Sequence, residues 1–412
     1  MLPDKKKVAL ISSGQPSLNP RLVKEADALS DANYEVTVLY AYWNAWGTEF
    51  DKQLISSKKW KAICIGGDPQ YKQGTYFISR FIYKFAQIVS SKTKGKFMAD
   101  WTIARASYFL MTEAKKHIAD LYIAHNLGAL PAVVAAAKVN NKSCGFDAED
   151  FHRHETSDDS NNEDVILKTS VENKYIPQLN YFSTSSKQIA NAYQQIFPNL
   201  RPVILLNVFP NSHLSITEKH VGYPLKLFWF SQTIGPDRGI NDIVDALQLL
   251  NKTDFELHLL GNQSPANKSF IDKINNSDIS IQFHDPVHPD KLIEFAAQFD
   301  IGLALEPGFS INNNIALSNK LFTYMQAGLA IIASNTTAQQ DFMNQNPQIG
   351  SLYPKKNSEI LANILLSYYQ DKDKLISCKA EALRLAHQQY NWEVERLKFL
   401  KAVKKALQDS NK

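Results

Sequence analysis

Leu225-Lys226-Leu227-Phe228-Trp229-Phe230-Ser231 is a nearly continuous apolar run, the pattern of a strand buried on both faces. A glycine-bearing loop, Gln232 to Gly239, and a helical pattern at Ile240 to Leu250 follow it. Strands are then expected at Glu256 to Leu260, Ser280 to Phe283, Ile301 to Leu305 and Leu329 to Ala333, with helices at Pro289 to Phe299 and Ser318 to Ala327. Two more helices and an amphipathic one, Trp392 to Leu407, close the chain. The same alternation precedes Leu225. Strands are expected at Val8 to Ser12, Tyr34 to Tyr40, Trp60 to Ile65, Leu121 to Ala124, Lys142 to Ala148, Leu179 to Ser183 and Val203 to Leu206. Helices are expected at Pro20 to Ala32, Thr75 to Ser91, Met98 to Ile118, Pro131 to Val139 and Lys187 to Ile196, and a polar loop at Thr156 to Asp164. Strands alternating with helices imply a parallel sheet covered on both faces. The pattern restarts after the polar stretch Asn207 to Gly222, which reads as a linker. The expected fold is therefore α/β, with two doubly wound Rossmann-like domains over residues 1–207 and 208–390. Residues 391–412 would form a terminal amphipathic helix packing back toward the first domain. Ligands of such sheets bind beyond the carboxyl ends of the strands. Two such edges facing each other across a cleft would hold a donor on one domain and an acceptor on the other.

Composition narrows the function classes. The chain has 412 residues, 44% of them hydrophobic and 21% charged, with a formal charge of +4. That is apolar material for two sizeable cores, and too mild a charge for a dedicated nucleic-acid binder. Cys64, Cys144 and Cys378 are far apart and form no CxxC pair, which excludes a cysteine zinc module and fits a reducing, cytoplasmic compartment. No run approaches the roughly 20 apolar residues of a membrane span. Lysines cluster at Lys5-Lys6-Lys7, at Lys58, Lys59 and Lys61, and at Lys92, Lys94 and Lys96. Two readings of these clusters stay open: a solvated surface, or peripheral contact with anionic lipid on the inner face of a membrane or with a phosphorylated acceptor.

Candidate chemistry gathers at strand ends. Ser12-Ser13-Gly14-Gln15 leads toward Asn19-Pro20-Arg21 and a helix start, an anion-favouring place, yet a single glycine is neither GxGxxG nor a P-loop. Gly14 would let backbone approach a substrate closely. Arg238, in the equivalent loop of the second half, offers a fork of donors suited to phosphate. Ser318 reads as an N-cap, with Asn319, Lys320 and Leu321 in the first turn; a lysine there is unfavourable unless an anion neutralises it. His125-Asn126 follows one strand, and Asp147-Ala148-Glu149-Asp150 with His152 and His154 follows the next. The latter segment suits acid/base or acceptor-binding roles better than a metal, because a strand would split its ligands between faces.

In order and spacing these segments resemble glycosyltransferase family 4, and a bacterial branch found with surface-polysaccharide genes. The resemblance rests on Arg238-Gly239, Leu260-Gly261, Phe283 to Val287 and Ser318 to Gly328 with Leu329 to Ser334. In the first half it rests on Gly14-Gln15-Pro16, Asn19-Pro20-Arg21, His125-Asn126-Leu127 and Phe146 to Asp150. It implies a GT-B fold and transfer, with retention, from a nucleotide-diphosphate-sugar to a glycan or lipid-linked acceptor, without a metal or other cofactor. Donor residues would be Gly14, Arg238, Gly261, Val287, Glu306, Ser318, Asn319, Lys320 and Leu321. His125 and Asp147 would be catalytic; Asn19, Arg21, Asn126, Glu149 and Asp150 would lie on the acceptor side. The chain departs from the family at two glutamates separated by seven residues, where it has Ile315 and Thr323. A non-catalytic GT-B protein that binds a nucleotide or glycan is therefore the alternative. A sugar epimerase would need a carboxylate-rich site, and a nicotinamide oxidoreductase a glycine fingerprint that neither half carries.

Overall fold

The computed structural model describes residues 5–95, 97–212, 214, 222–251 and 253–409. Half of the expected linker, and Lys96 of the third lysine cluster, lie outside the described residues. The chain divides into two compact units. The first comprises the residues up to Asn207, Ser310–Asn312 and the chain from Arg396; the second comprises Val208–Phe309 and Asn313–Glu395.

The first unit holds seven strands: β1 (Lys7–Ser12), β2 (Glu35–Ala41), β3 (Lys61–Ile65), β4 (Leu121–His125), β5 (Ser143–Ala148), β6 (Tyr181–Thr184) and β7 (Val203–Ile204). Their order is β3-β2-β1-β4-β5-β6-β7, parallel throughout. The strand order reverses at β1/β4, the point where such sheets open a crevice. The second unit holds β8 (Leu225–Thr233), β9 (Phe255–Asn262), β10 (Ile281–His284), β11 (Ile301–Ala304), β12 (Ala330–Ser334) and β13 (Gly350–Tyr353). Their order is β10-β9-β8-β11-β12-β13, again parallel, with the switch at β8/β11. Both units thus have the Rossmann-like form expected from the sequence.

Strand β8 shows why its apolar run is continuous. Leu225, Leu227 and Trp229 join one core with Ile240, Ile243, Leu257 and Leu303. Phe228 and Phe230 face the other side, where Phe228 stacks on Phe299 at 4.5 Å and Phe230 meets Tyr324 edge-on at 5.7 Å. Full burial of each such ring is worth about 1.5–3 kcal/mol.

Several elements differ from expectation. The helix expected over Met98 to Ile118 is two, Ala99–Thr102 and Ser107–Lys116. In the break between them Ala104 packs on Gly128 and Ala106 on Gly66, where an added Cβ would come within 2.7 and 2.8 Å respectively. A helix at Ala45–Ser56, capped by Asn44, was not expected, nor were the helices Lys268–Asn275 and Ile311–Ile315 or strand β13. The expected helix Pro289 to Phe299 is regular only over Leu292–Ala296, after a turn at Pro289–Lys291.

The helix Asn319–Ala327 packs against β11 with a close approach at Gly302. A Cβ on Gly302 would stand 2.2 Å from the Tyr324 ring, whose hydroxyl donates to the Leu303 carbonyl at 2.9 Å. Gly302→Ala is therefore expected to destabilise the second unit by about 1–3 kcal/mol, read as a lower denaturation midpoint. An unchanged midpoint would show that the contact yields freely.

Candidate functional site

The carboxyl edge of the second unit's sheet gathers the strongest ligand-binding geometry. After β8 the chain turns through Ile234 and Gly235 into Pro236–Arg238, then Gly239 at φ 75°. A Cβ on Gly239 would come within 2.1 Å of the Leu305 carbonyl oxygen, so this loop is pressed onto the end of β11. Arg238 is exposed and has no hydrogen-bond or ion-pair partner among the described residues. Just past β11, Glu306 accepts from Ser318 Oγ at 2.8 Å and pairs with Lys320 Nζ at 2.6 Å. Burial works against the Glu306 carboxylate, but Lys320 and the bonds from Ser318 and Asn313 outweigh it and hold its pKa below the usual value. The anion that the sequence required beside Lys320 is thus present in the protein itself. Lys320 also lies 5.9 Å over the buried Trp229 ring.

The surrounding loops are fastened. Gly308 N–H donates to Asn313 Oδ1 at 2.6 Å, and Asn314 is bonded to both Thr337 and Lys355. Ser334 Oγ donates to the Glu306 carbonyl at 2.7 Å, fixing the strand end from below. Gly261, at φ 157°, would bring a Cβ within 2.5 Å of the Ser231 carbonyl oxygen. It therefore serves close packing of β9 on β8. Val287 is half-buried in the loop after β10.

Two sequence assignments change here. Leu321 is wholly buried, so its side chain belongs to the core. Thr323, at a family glutamate position, is also fully buried and donates to the Asn319 carbonyl at 3.3 Å. The carboxylate at this helix start comes from Glu306, on a strand end, instead.

In the first unit the assigned residues fall into two layers. Below the strand ends lies a buried charge network. Arg21 grips Asp147 with two nitrogens, at 2.5 and 2.7 Å, and donates to the Leu205 carbonyl at 2.7 Å. Ser183 Oγ donates to Asp147 at 2.6 Å. His125 stands 3.2 Å from Glu25 and 3.6 Å from Asp147. His125 and Asp147 have no exposed surface and Arg21 almost none. A side chain without surface touches no ligand, so these three are positioning residues in this structure rather than catalytic or acceptor-contacting ones. Asn19 likewise caps the helix Pro20–Asp31, accepting from Leu22 N–H at 2.9 Å.

The upper layer is reachable. Asn126 sits at φ 71°, an uncommon conformation for a side chain-bearing residue, directly after β4. Its amide ties β4 to the first loop, accepting from Ser13 Oγ at 2.7 Å and donating to Ser12 Oγ at 3.2 Å. Gly14 leaves open space; a Cβ there would meet only Ser12 Oγ, at 4.0 Å. Glu149 and Asp150 are half-buried after β5. Desolvation leads in raising the Glu149 carboxyl to about 7, against the pull of Arg21. Gln15, given no role of its own in the sequence reading, holds this loop in shape. Its carbonyl accepts from the Trp43 and Asn44 N–H groups at 3.1 and 2.9 Å, and its amide donates to Asp51 at 3.0 Å. Among the described residues no three His, Cys, Asp or Glu side chains are grouped to hold a metal ion.

Residues 225–371, most of the second unit, match the family model for glycosyl transferases group 1. Comparison with curated protein sequences gives no match. The structure is similar to that of Anabaena HepE in complex with UDP and glucose, at 14% identity and a TM-score of 0.65, covering 97% of this chain and 99% of that one. It is similar to a glycosyltransferase from Rickettsia africae, at 12% identity and a TM-score of 0.66, covering 98% and 99%. It is also similar to a variant of S. aureus TarM bound to fondaparinux, alpha-GlcNAc-glycerol and UDP, at 11% identity and a TM-score of 0.68, covering 96% and 99%. The two Rossmann-like domains have the fold of GT-B glycosyltransferase structures.

Two outcomes follow for the buried network. Arg21→Met leaves Asp147 and Glu25 buried without their cation, and is expected to cost about 3–5 kcal/mol in chemical denaturation. A loss below the resolution of that measurement would mean the network relaxes around the gap. The second outcome concerns pH. Burial lowers the His125 pKa, but Glu25 and Asp147 outweigh it and raise it above its ordinary 6.5. A raised histidine stabilises fully below its unfolded value and loses that contribution as pH rises through its folded value. Wild type should therefore exceed His125→Gln in stability most below pH 6.5, with the gap narrowing at alkaline pH. A gap that widens with pH would reverse the assignment.

Proposed function

We propose that the chain is a glycosyltransferase that moves a sugar from a nucleotide-diphosphate-sugar to a glycan or lipid-linked acceptor. One observation carries the reading. Arg238 is an exposed guanidinium, without a partner among the described residues, on a loop pressed onto the end of β11, at the switch point of the sheet. Beyond that strand end lies a helix start bearing Ser318, Asn319 and Lys320. A planar cation and the free N–H groups of a helix start are what a diphosphate needs. The match of this unit to the group 1 model supports the reading, as does UDP in the similar Anabaena and S. aureus proteins.

In this proposal Arg238 and Lys320 stabilise the charge that develops on the diphosphate as the glycosidic bond breaks. Glu306 yields Lys320 to the phosphate and turns its own acceptors to the sugar hydroxyls. The backbone near Leu321 donates to phosphate, while Gly261 and Val287 border the base. In the first unit Gly14, Asn126, Glu149 and Asp150 take the sugar and acceptor side, held by the His125, Asp147 and Arg21 network. With two cations at the phosphate no metal or cofactor is needed. We further propose a family 4 type enzyme acting with retention, the leaving phosphate taking the acceptor proton, in bacterial cell-surface polysaccharide synthesis at the cytoplasmic side. A second reading, binding without turnover, is favoured only by Ile315 and Thr323 in place of glutamates.

Arg238→Ala and Lys320→Ala should each weaken UDP binding about tenfold to a hundredfold in calorimetry, the loss of one charged hydrogen bond of about 1.5–3 kcal/mol. Unchanged affinity in both variants would remove the phosphate assignment. UDP binding without release of sugar from any UDP-sugar, with or without acceptor, would favour the second reading.

A further inference from the structure

The helix Gln73–Lys92 is turned inside out. It buries the small residues Ser79, Ala86 and Ser90. Phe77, Ile78, Phe81, Phe85 and Ile88 point outward, each between 50% and 73% exposed. At 3.6 residues per turn these five fall within an arc of about 100° on one face. Scattered surface apolar residues need no explanation, but a continuous stripe of five marks an interaction surface.

Charge indicates what covers it. From Pro69 to Ala99 the chain carries Lys72, Arg80, Lys84, Lys92, Lys94 and Lys96 and no Asp or Glu. Lys84, Lys92 and Lys94 are exposed. Arg80 folds over the Tyr76 ring at 4.8 Å, at the edge of the stripe. A second copy docking by two-fold symmetry would bring this cationic segment against itself. An apolar stripe flanked by cations instead fits the interface of an anionic bilayer, with rings among the acyl chains and lysines at the headgroups. Among the described residues no helix is long and apolar enough to cross a membrane, so the contact would lie in the surface.

We infer that the helix Gln73–Lys92 docks the chain on an anionic lipid bilayer. This goes beyond the sugar-transfer reading and stands without it. The test is co-sedimentation of the full chain with vesicles of equimolar phosphatidylcholine and phosphatidylglycerol, and with vesicles of phosphatidylcholine alone. Wild type sediments with the anionic vesicles and is released by salt. Replacing Phe77, Phe81 and Phe85 together by Ser weakens binding at least about tenfold. Replacing Lys84, Lys92 and Lys94 by Gln weakens it about fivefold per lysine. All six side chains are exposed, so the thermal midpoint and UDP affinity of both variants stay unchanged, which keeps this test apart from that of the sugar-transfer reading. No binding of wild type to anionic vesicles, or equal binding by the Phe variant, overturns the inference. So does a wild-type dimer in sedimentation velocity that the Phe variant converts to monomer, because the face would then join two copies.

Discussion

The ring of Tyr324 occupies the space above Gly302 that any side chain there would need. That close approach sets how near the helix Asn319–Ala327 lies to β11, and so where the helix begins. Gly328 ends the same helix at φ 66°, with Leu329 N–H returning to the Tyr324 carbonyl at 3.0 Å. Fixed at its middle and its end, the helix delivers Ser318 and Lys320 to Glu306 without adjustment. The second close approach, Gly239 on Leu305, sets the Arg238 loop on the same strand end. These two glycines thus help set the geometry of Arg238, Lys320 and Glu306 at this edge.

The two units treat charge at their strand edges differently. In the first, Arg21, Glu25, His125 and Asp147 are buried together; Arg21 and His125 outweigh burial and hold the Asp147 pKa below its usual value, whereas burial leads in raising that of Glu25. Such a network contributes orientation more than net stability, because desolvation offsets much of the attraction. It ties α-helix, two strands and the Leu205 carbonyl into one arrangement beneath Asn126 and Glu149. In the second unit Lys379 and Asp300 form a buried pair at 2.6 Å, but the charges at the candidate site lie at the rim. Lys320 and Glu306 neutralise each other, and Arg238 stays without a partner among the described residues.

The sheet architecture was legible because β8, β11 and β12 are buried on both faces and read as apolar runs. The boundary near Asn207 was legible because periodicity stops there and resumes at Leu225. What escaped had no periodic signal. The helix Ala45–Ser56 has no regular apolar stripe; it is held by Asn44 as cap and by Gln15 and Ser17 on Asp51, a contact between distant segments. The break at Ala104 to Ala106 packs on Gly66 and Gly128, which lie far off in sequence. At the candidate site, Arg238 could be placed from the loop after a strand, and Ser318 and Lys320 from the start of an apolar helical pattern. The burial of His125, Asp147 and Arg21 was not, since a polar residue after a strand reads the same above the sheet edge as beneath it.

In the proposed sugar-transfer reading, Glu306 would stand in for the glutamates absent at Ile315 and Thr323. Thr323 is sealed in the core with its hydroxyl on the preceding turn, so a carboxylate there would have to leave the core or be buried without a cation. Glu306 reaches the same helix start from the rigid end of β11, where Ser318 and Lys320 already satisfy it. In the proposed sugar-transfer reading, while that pair is closed an incoming diphosphate would meet Arg238, which has no partner among the described residues. Once phosphate takes Lys320, Glu306 is left with acceptors that only hydroxyl or amide donors can fill. A ligand with phosphate alone leaves that carboxylate unsatisfied; one with phosphate and a polyhydroxylated ring satisfies both groups. In that reading the arrangement would discriminate by the cost of an unpaired carboxylate, which is how buried polar sites reject ligands that lack the matching donor.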